Sequence, residues 1–146
     1  MNQEKLSIGL IGLGGVAQAH LHAYDLLDTV AIAAVCDVRA EAVHAVADKY
    51  KAQAFTDYTE LLANDGLDLV LVLTPASTHR EIVEAAADAG KHVFCEKPLS
   101  VTLADGEAMV TACQQAKVKL FYGSCYRYLP AISKAHALIQ SGAIGQ

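Results

Sequence analysis

The sequence predicts an α/β domain built on one doubly wound parallel sheet, and three observations carry that prediction. Apolar runs at residues 6–11, 30–36, 67–73, 91–95 and 118–122 alternate with segments of helical period, the pattern of parallel strands joined by helical crossovers. A glycine-rich turn, Gly12-Leu13-Gly14-Gly15-Val16-Ala17, follows the first run. An acid, Asp37, closes the second.

The first run and its turn read as a strand feeding a helix. Gly12 makes the tight turn, Gly14 lets the backbone approach a pyrophosphate, and Ala17, the permitted small variant of a third glycine, lets helix and strand pack closely. Phosphates would lie at the helix N-terminus among free N–H groups, those of Gly15 and Val16 included. Glycine is also the default residue at any turn of positive φ, so the turn alone is weak evidence. Asp37 completes it: about 20 residues beyond Ala17 is where the Rossmann dinucleotide-binding fold places the acid that accepts the adenosine ribose hydroxyls. A carboxylate there repels a 2′-phosphate and favours NAD, whereas Arg39, by swinging inward, could accept that phosphate and admit NADP.

After the second run the chain reads as a helix ending near Tyr50, a short strand at residues 52–55, and a helix starting near Tyr58. Asp57 with Glu60, and Thr78 with Glu81, have capping-box spacing, and Gly90 stands where the helix after Thr78 should stop. No repeat, low-complexity tract or Pro/Gly linker divides the chain. One sheet of order 3-2-1-4-5-6 with right-handed crossovers is expected. Ligands of such sheets bind beyond the carboxyl ends of the strands, which places Gly12, Asp37, Thr74, Glu96 and Gly123 on the functional edge. The loop Thr74-Pro75-Ala76-Ser77-Thr78-His79 can serve both as helix-capping chemistry and as a rim facing a cofactor. In Cys95-Glu96-Lys97-Pro98, Pro98 drives Lys97 into an extended conformation and aims its ammonium at the same edge. A solvated lysine is the plain reading of that loop by itself; beside a dinucleotide the same group could steady a substrate oxygen or relay a proton during hydride transfer.

Composition narrows the function classes. The chain has 146 residues, 53% of them hydrophobic, enough for the core of one domain. A net charge of −5 without any Lys/Arg block argues against nucleic acid, and neither a basic face nor a helix-turn-helix pattern supports a DNA-binding regulator. No apolar run approaches the roughly 18 residues of a membrane span, and no apolar stretch of signal-peptide length follows Met1, so a cytoplasmic protein without a membrane partner is expected. The four cysteines lack C-x-x-C spacing and read as reduced and buried. His20 and His22, two apart on a helix, cannot form a ligand pair, and no metal site is expected. Tyr122, Tyr126 and Tyr128 read as core or interface packing.

Gly12-x-Gly14-x-x-Ala17, Asp37, Thr74-Pro75 with His79, and Glu96-Lys97-Pro98 together resemble the Gfo/Idh/MocA family of NAD(P)-dependent oxidoreductases, from Leu6 to the end of the chain. The resemblance implies a catalytic or substrate-orienting role for Lys97 and a nicotinamide-side role for Glu96. It also implies that Thr74, Pro75 and His79 line the cofactor and that Arg127 approaches the nicotinamide. The reaction implied is hydride transfer between nicotinamide and a sugar, polyol or similar small substrate. On this pattern residues 1–123 form the dinucleotide-binding domain, and residues 124–146 hold a crossover helix and the start of a second, α+β domain that is otherwise absent. Two further expectations follow: the isolated chain binds NAD(H) without turnover, and the apolar surface a second domain would cover supports a homo-oligomer. The rival reading is a stand-alone dinucleotide-binding, sensing or scaffold module without turnover.

Overall fold

In the computed structural model, which describes residues 5–145, six parallel strands form one sheet of order β3-β2-β1-β4-β5-β6. These are β1 (Leu6–Ile11), β2 (Val30–Cys36), β3 (Gln53–Phe55), β4 (Leu69–Val72), β5 (His92–Glu96) and β6 (Leu120–Gly123). The helices are α1 (Gly15–Tyr24), α2 (Ala40–Tyr50), α3 (Tyr58–Leu62), α4 (His79–Asp88), α5 (Leu103–Gln115) and α6 (Pro130–Gln140). The short stretch after α2 is a strand, pairing Ala34 to Gln53 and Cys36 to Phe55.

The central strands read as continuous apolar runs because both of their faces are covered. Leu10 and Leu71 point into one core with Ala17, Leu21, Val43 and Val46, the buried positions of α1 and α2. Their neighbours Ile11, Val70 and Val72 point into the other, with Leu61 of α3, Ile82 and Val83 of α4 and Met109 of α5. Strand alternation thus divides one sheet between two helix layers.

Local chemistry sets the helix boundaries. Asp57 caps α3 by accepting the Thr59 N–H at 2.8 Å. Gly90, at φ +71°, ends α4: its N–H donates to Ala87 O and that of Lys91 to Ala86 O, the paired bonds of a Schellman stop. The capping box expected at Thr78 does not form. A 3-10 turn, Ala76–Thr78, precedes α4, and the Thr78 hydroxyl turns back to lie 2.9 Å from both the Thr74 hydroxyl and the Pro75 carbonyl. α6 differs from the other helices in burying none of its residues.

Candidate functional site

The first strand leaves the sheet through a turn only glycine can make. Gly12 sits at φ +94°, and a Cβ there would lie 2.9 Å from the Leu73 carbonyl carbon and the Thr74 nitrogen. Its N–H continues the ladder to Cys36 O at 2.8 Å. Gly14 then caps α1 without any side-chain bond, so the first amides of the helix are not taken by a capping side chain. A Cβ on Gly14 or Gly15 would meet nothing within 4 Å, which leaves room for a ligand against that helix end. Ala17 turns the other way, fully buried in the core beneath.

Asp37 fixes this turn as well as facing the cleft. Its Oδ2 accepts the Leu13 N–H at 2.8 Å, and its Oδ1 accepts the Arg39 N–H at 2.9 Å. The Arg39 guanidinium covers the rest of the carboxylate, Nε at 3.0 Å from Oδ1 and Nη2 at 3.2 Å from Oδ2. Burial works against the charged form of Asp37, but these bonds outweigh it and hold the carboxyl below its usual range. Arg39 itself is 62% exposed along its side chain, free to move aside.

Turn and acid open onto a cleft of about 760 Å³. Gly12, Gly14, Gly15, Val16, Asp37, Arg39, Thr74 and Pro75 all line it, with Ile11, Val38, Leu73 and Ile82 supplying apolar wall. Asp57 and Glu81 add two more carboxylates, and Arg39 is the one Lys or Arg among the described lining residues.

His79 is not in the cleft, contrary to the role the family resemblance implied. It is 1% exposed, with Nε2 at 2.8 Å from Thr74 O and Nδ1 at 3.0 Å from Leu99 O and 3.2 Å from Cys95 Sγ. Both ring nitrogens are spent on the protein, so the imidazole ties the loop after β4 to the loop after β5. Glu96, Lys97 and Arg127 also lie outside the lining, since this cleft covers the β1–β4 side of the edge only. Lys97 is exposed at the end of β5, before a cis peptide to Pro98. Arg127 is exposed on the short 3-10 turn Cys125–Tyr128. Tyr122, Tyr126 and Tyr128 are not core: they stand 50%, 70% and 85% exposed.

One contact had no signal in the sequence. His20 of α1 places Nε2 3.3 Å from Glu96 Oε1, while Glu96 Oε2 accepts the Lys97 N–H at 2.6 Å. The pair is 76 residues apart, and only the fold brings α1 over the end of β5.

A dinucleotide fits this geometry: an unobstructed helix N-terminus for phosphate, an anchored carboxylate for ribose hydroxyls and an apolar slot beside them. A family model described as "Oxidoreductase family, NAD-binding Rossmann fold" matches residues 6–124. Over 137 residues the chain is 39% identical to the D-apiose dehydrogenase of Paraburkholderia graminis, covering 93% of this chain and 36% of that protein. It is 37% identical to the myo-inositol 2-dehydrogenase of Thermotoga maritima, covering 97% and 42%. The crystal structure of the WlbA dehydrogenase of Bordetella pertussis, in complex with NADH and UDP-GlcNAcA, superposes with a TM-score of 0.91 at 30% identity, covering 95% of this chain and 43% of that one. The chain thus spans about two fifths of the length of these proteins. It belongs to the Gfo/Idh/MocA oxidoreductase family and carries that family's NAD-binding Rossmann domain.

Proposed function

We propose that this chain is the cofactor-holding half of a dehydrogenase that moves hydride between NAD(H) and a sugar or polyol. The observation that carries the reading is the meeting, on one cleft, of the open turn at Gly14 and Gly15 with the carboxylate of Asp37. Gly12, Gly14, Gly15 and Val16 present α1's N-terminus to the pyrophosphate, with Thr74 and Pro75 on the facing wall. Asp37 accepts the ribose hydroxyls once the exposed Arg39 guanidinium moves off it. Asp57 and Glu81 add negative charge to the same cleft, which favours NAD over NADP. The bound nicotinamide supplies the hydride acceptor or donor. Lys97, at the end of β5, orients the substrate oxygen and carries its proton, and Arg127 stands beyond β6 on the nicotinamide side. The sugar and polyol dehydrogenases among the relatives support this substrate class, and the apolar surface around α6 supports self-association. The buried, unpaired thiols accord with a cytoplasmic setting. No helix among the described residues is long and apolar enough to cross a membrane.

Titration with NADH and NADPH, followed by nicotinamide fluorescence, tests the reading. The chain should prefer NADH, and Asp37→Asn, which keeps an oxygen for the Leu13 N–H, should weaken NADH by about tenfold and narrow the preference. Unchanged NADH affinity in Asp37→Asn would remove Asp37 from the ribose seat.

A further inference from the structure

The end of β5 holds more than the lysine the sequence singles out. Glu96 is 7% exposed, and both of its carboxylate oxygens already have partners, His20 Nε2 on one side and the Lys97 N–H on the other. A carboxylate accepts and does not donate, so the His20 nitrogen facing it carries a proton. The ring is held in place on two sides. It meets Phe94 edge to face, with centroids 5.3 Å apart, and stacks toward Tyr24 at 6.2 Å. Phe94 lies on β5 itself and Tyr24 is the last residue of α1. The helix whose first turn faces the cleft is therefore bonded, one and a half turns later, to the Glu96 carboxylate, whose other oxygen accepts the Lys97 N–H.

We infer that His20 is a positioning residue of the cofactor site: through the Glu96 carboxylate it fixes the backbone of Lys97 relative to α1, and so sets where the lysine stands at the nicotinamide end. Glu96 acts here as a strut within the protein. Without His20 the carboxylate keeps a single charge-assisted bond in a largely buried setting, which is costly, and it turns outward to water over the strand end. That movement places a negative charge where the nicotinamide half of the cofactor lies and frees the Lys97 amide. The adenosine half, seated on Gly12, Asp37 and the Thr74 loop, is untouched by it.

The inference rests on the proposed dinucleotide reading, and the experiment separates the two. NADH and ADP-ribose, the latter lacking only the nicotinamide, are titrated into the wild-type chain and into His20→Phe, His20→Asn and His20→Gln. Thermal unfolding of each variant is recorded alongside. Phe cannot donate and Asn is too short to reach Glu96, whereas Gln carries an amide nitrogen close to where Nε2 stands. His20→Phe and His20→Asn should weaken NADH by about tenfold and leave ADP-ribose within about twofold. His20→Gln should recover most of the loss. In NMR spectra the Lys97 amide proton should move in the Phe and Asn variants and return in Gln. Equal losses for both ligands, or none for either, would overturn the inference and leave the dinucleotide reading standing; a wild-type chain that bound neither ligand would overturn that reading instead.

Discussion

Gly12 and Gly14 stand two residues apart, yet replacing each by alanine should fail differently. At Gly12 the backbone is left-handed and the added methyl meets the Leu73–Thr74 peptide at 2.9 Å. Gly12→Ala should therefore destabilise folding by at least about 1–3 kcal/mol, the conformational cost alone, with displacement of the β4 loop added to it. At Gly14 φ is −72° and nothing lies within 4 Å, so the fold should lose no more than about 1 kcal/mol. The methyl would instead occupy the space the pyrophosphate needs, and NADH affinity should fall by about tenfold or more. Urea denaturation and NADH titration of both variants check the contrast. An unstable Gly14→Ala, or one that bound NADH normally, would show that the open space serves some other purpose. Asp37 was legible in the sequence as an acid closing a strand. Its bond to the Leu13 N–H was not, because the fingerprint gives the spacing of turn and acid but not that one anchors the other.

At the scale of the element, the sheet was legible because its strands are buried on both faces, which leaves a run of apolar residues with few competing interpretations. β1 and β2 fall on their predicted runs to the residue, whereas β5 extends one residue beyond its run to include Glu96. What the sequence could not give were bonds made across elements: His20 to Glu96 between α1 and β5, and His79, the first residue of α4, to Thr74 and Leu99 in the loops after β4 and β5. No periodicity encodes such pairs, since each partner takes its meaning from a residue placed by the fold. α6 is the opposite case, an amphipathic helix that meets the 3-10 turn before it, where the Ser133 hydroxyl donates to Arg127 O, but buries none of its own residues. Leu129, its N-cap residue, and Ile132 and Ile139 along it are 48%, 49% and 55% exposed. A chain ending at Tyr128 should thus unfold in urea within about 1 kcal/mol of the 146-residue chain. If the surface around α6 drives self-association, light scattering should show the longer chain growing in mass with concentration and the shorter one growing less. A large loss of stability in the shorter chain would mean that α6 is covered in solution by the domain itself.

For the molecule as a whole, the cysteines report on how the sheet is packed. Cys36 and Cys95 lie in the core between the sheet and the layer of α3, α4 and α5, and Cys113 reaches the same core from α5. Cys125, beyond β6, is exposed, so the expectation of four buried thiols holds for three of them. Burial, with help from neighbouring carboxylates, pushes the Cys36 thiol up to about 11 and that of Cys95 up to about 12. Both therefore remain protonated well above neutral pH, and since the thiolate is the nucleophile, access and chemistry protect them together. Ellman's reagent should titrate one thiol promptly in the native chain at pH 8 and all four in urea. Raising the pH to about 9 should bring no second thiol into the fast phase, because the folded-state values of Cys36 and Cys95 lie above that window and burial pushes the Cys113 thiol up as well. The slow phase then measures opening of the core beneath α3, α4 and α5. Saturating NADH should slow it, since a ligand that binds only the folded domain lowers the population of its open forms. A second fast thiol in the native chain would mean that one of those helices does not cover the sheet as described, and a slow phase indifferent to NADH would mean that the cofactor is not coupled to the folding of this half of the sheet.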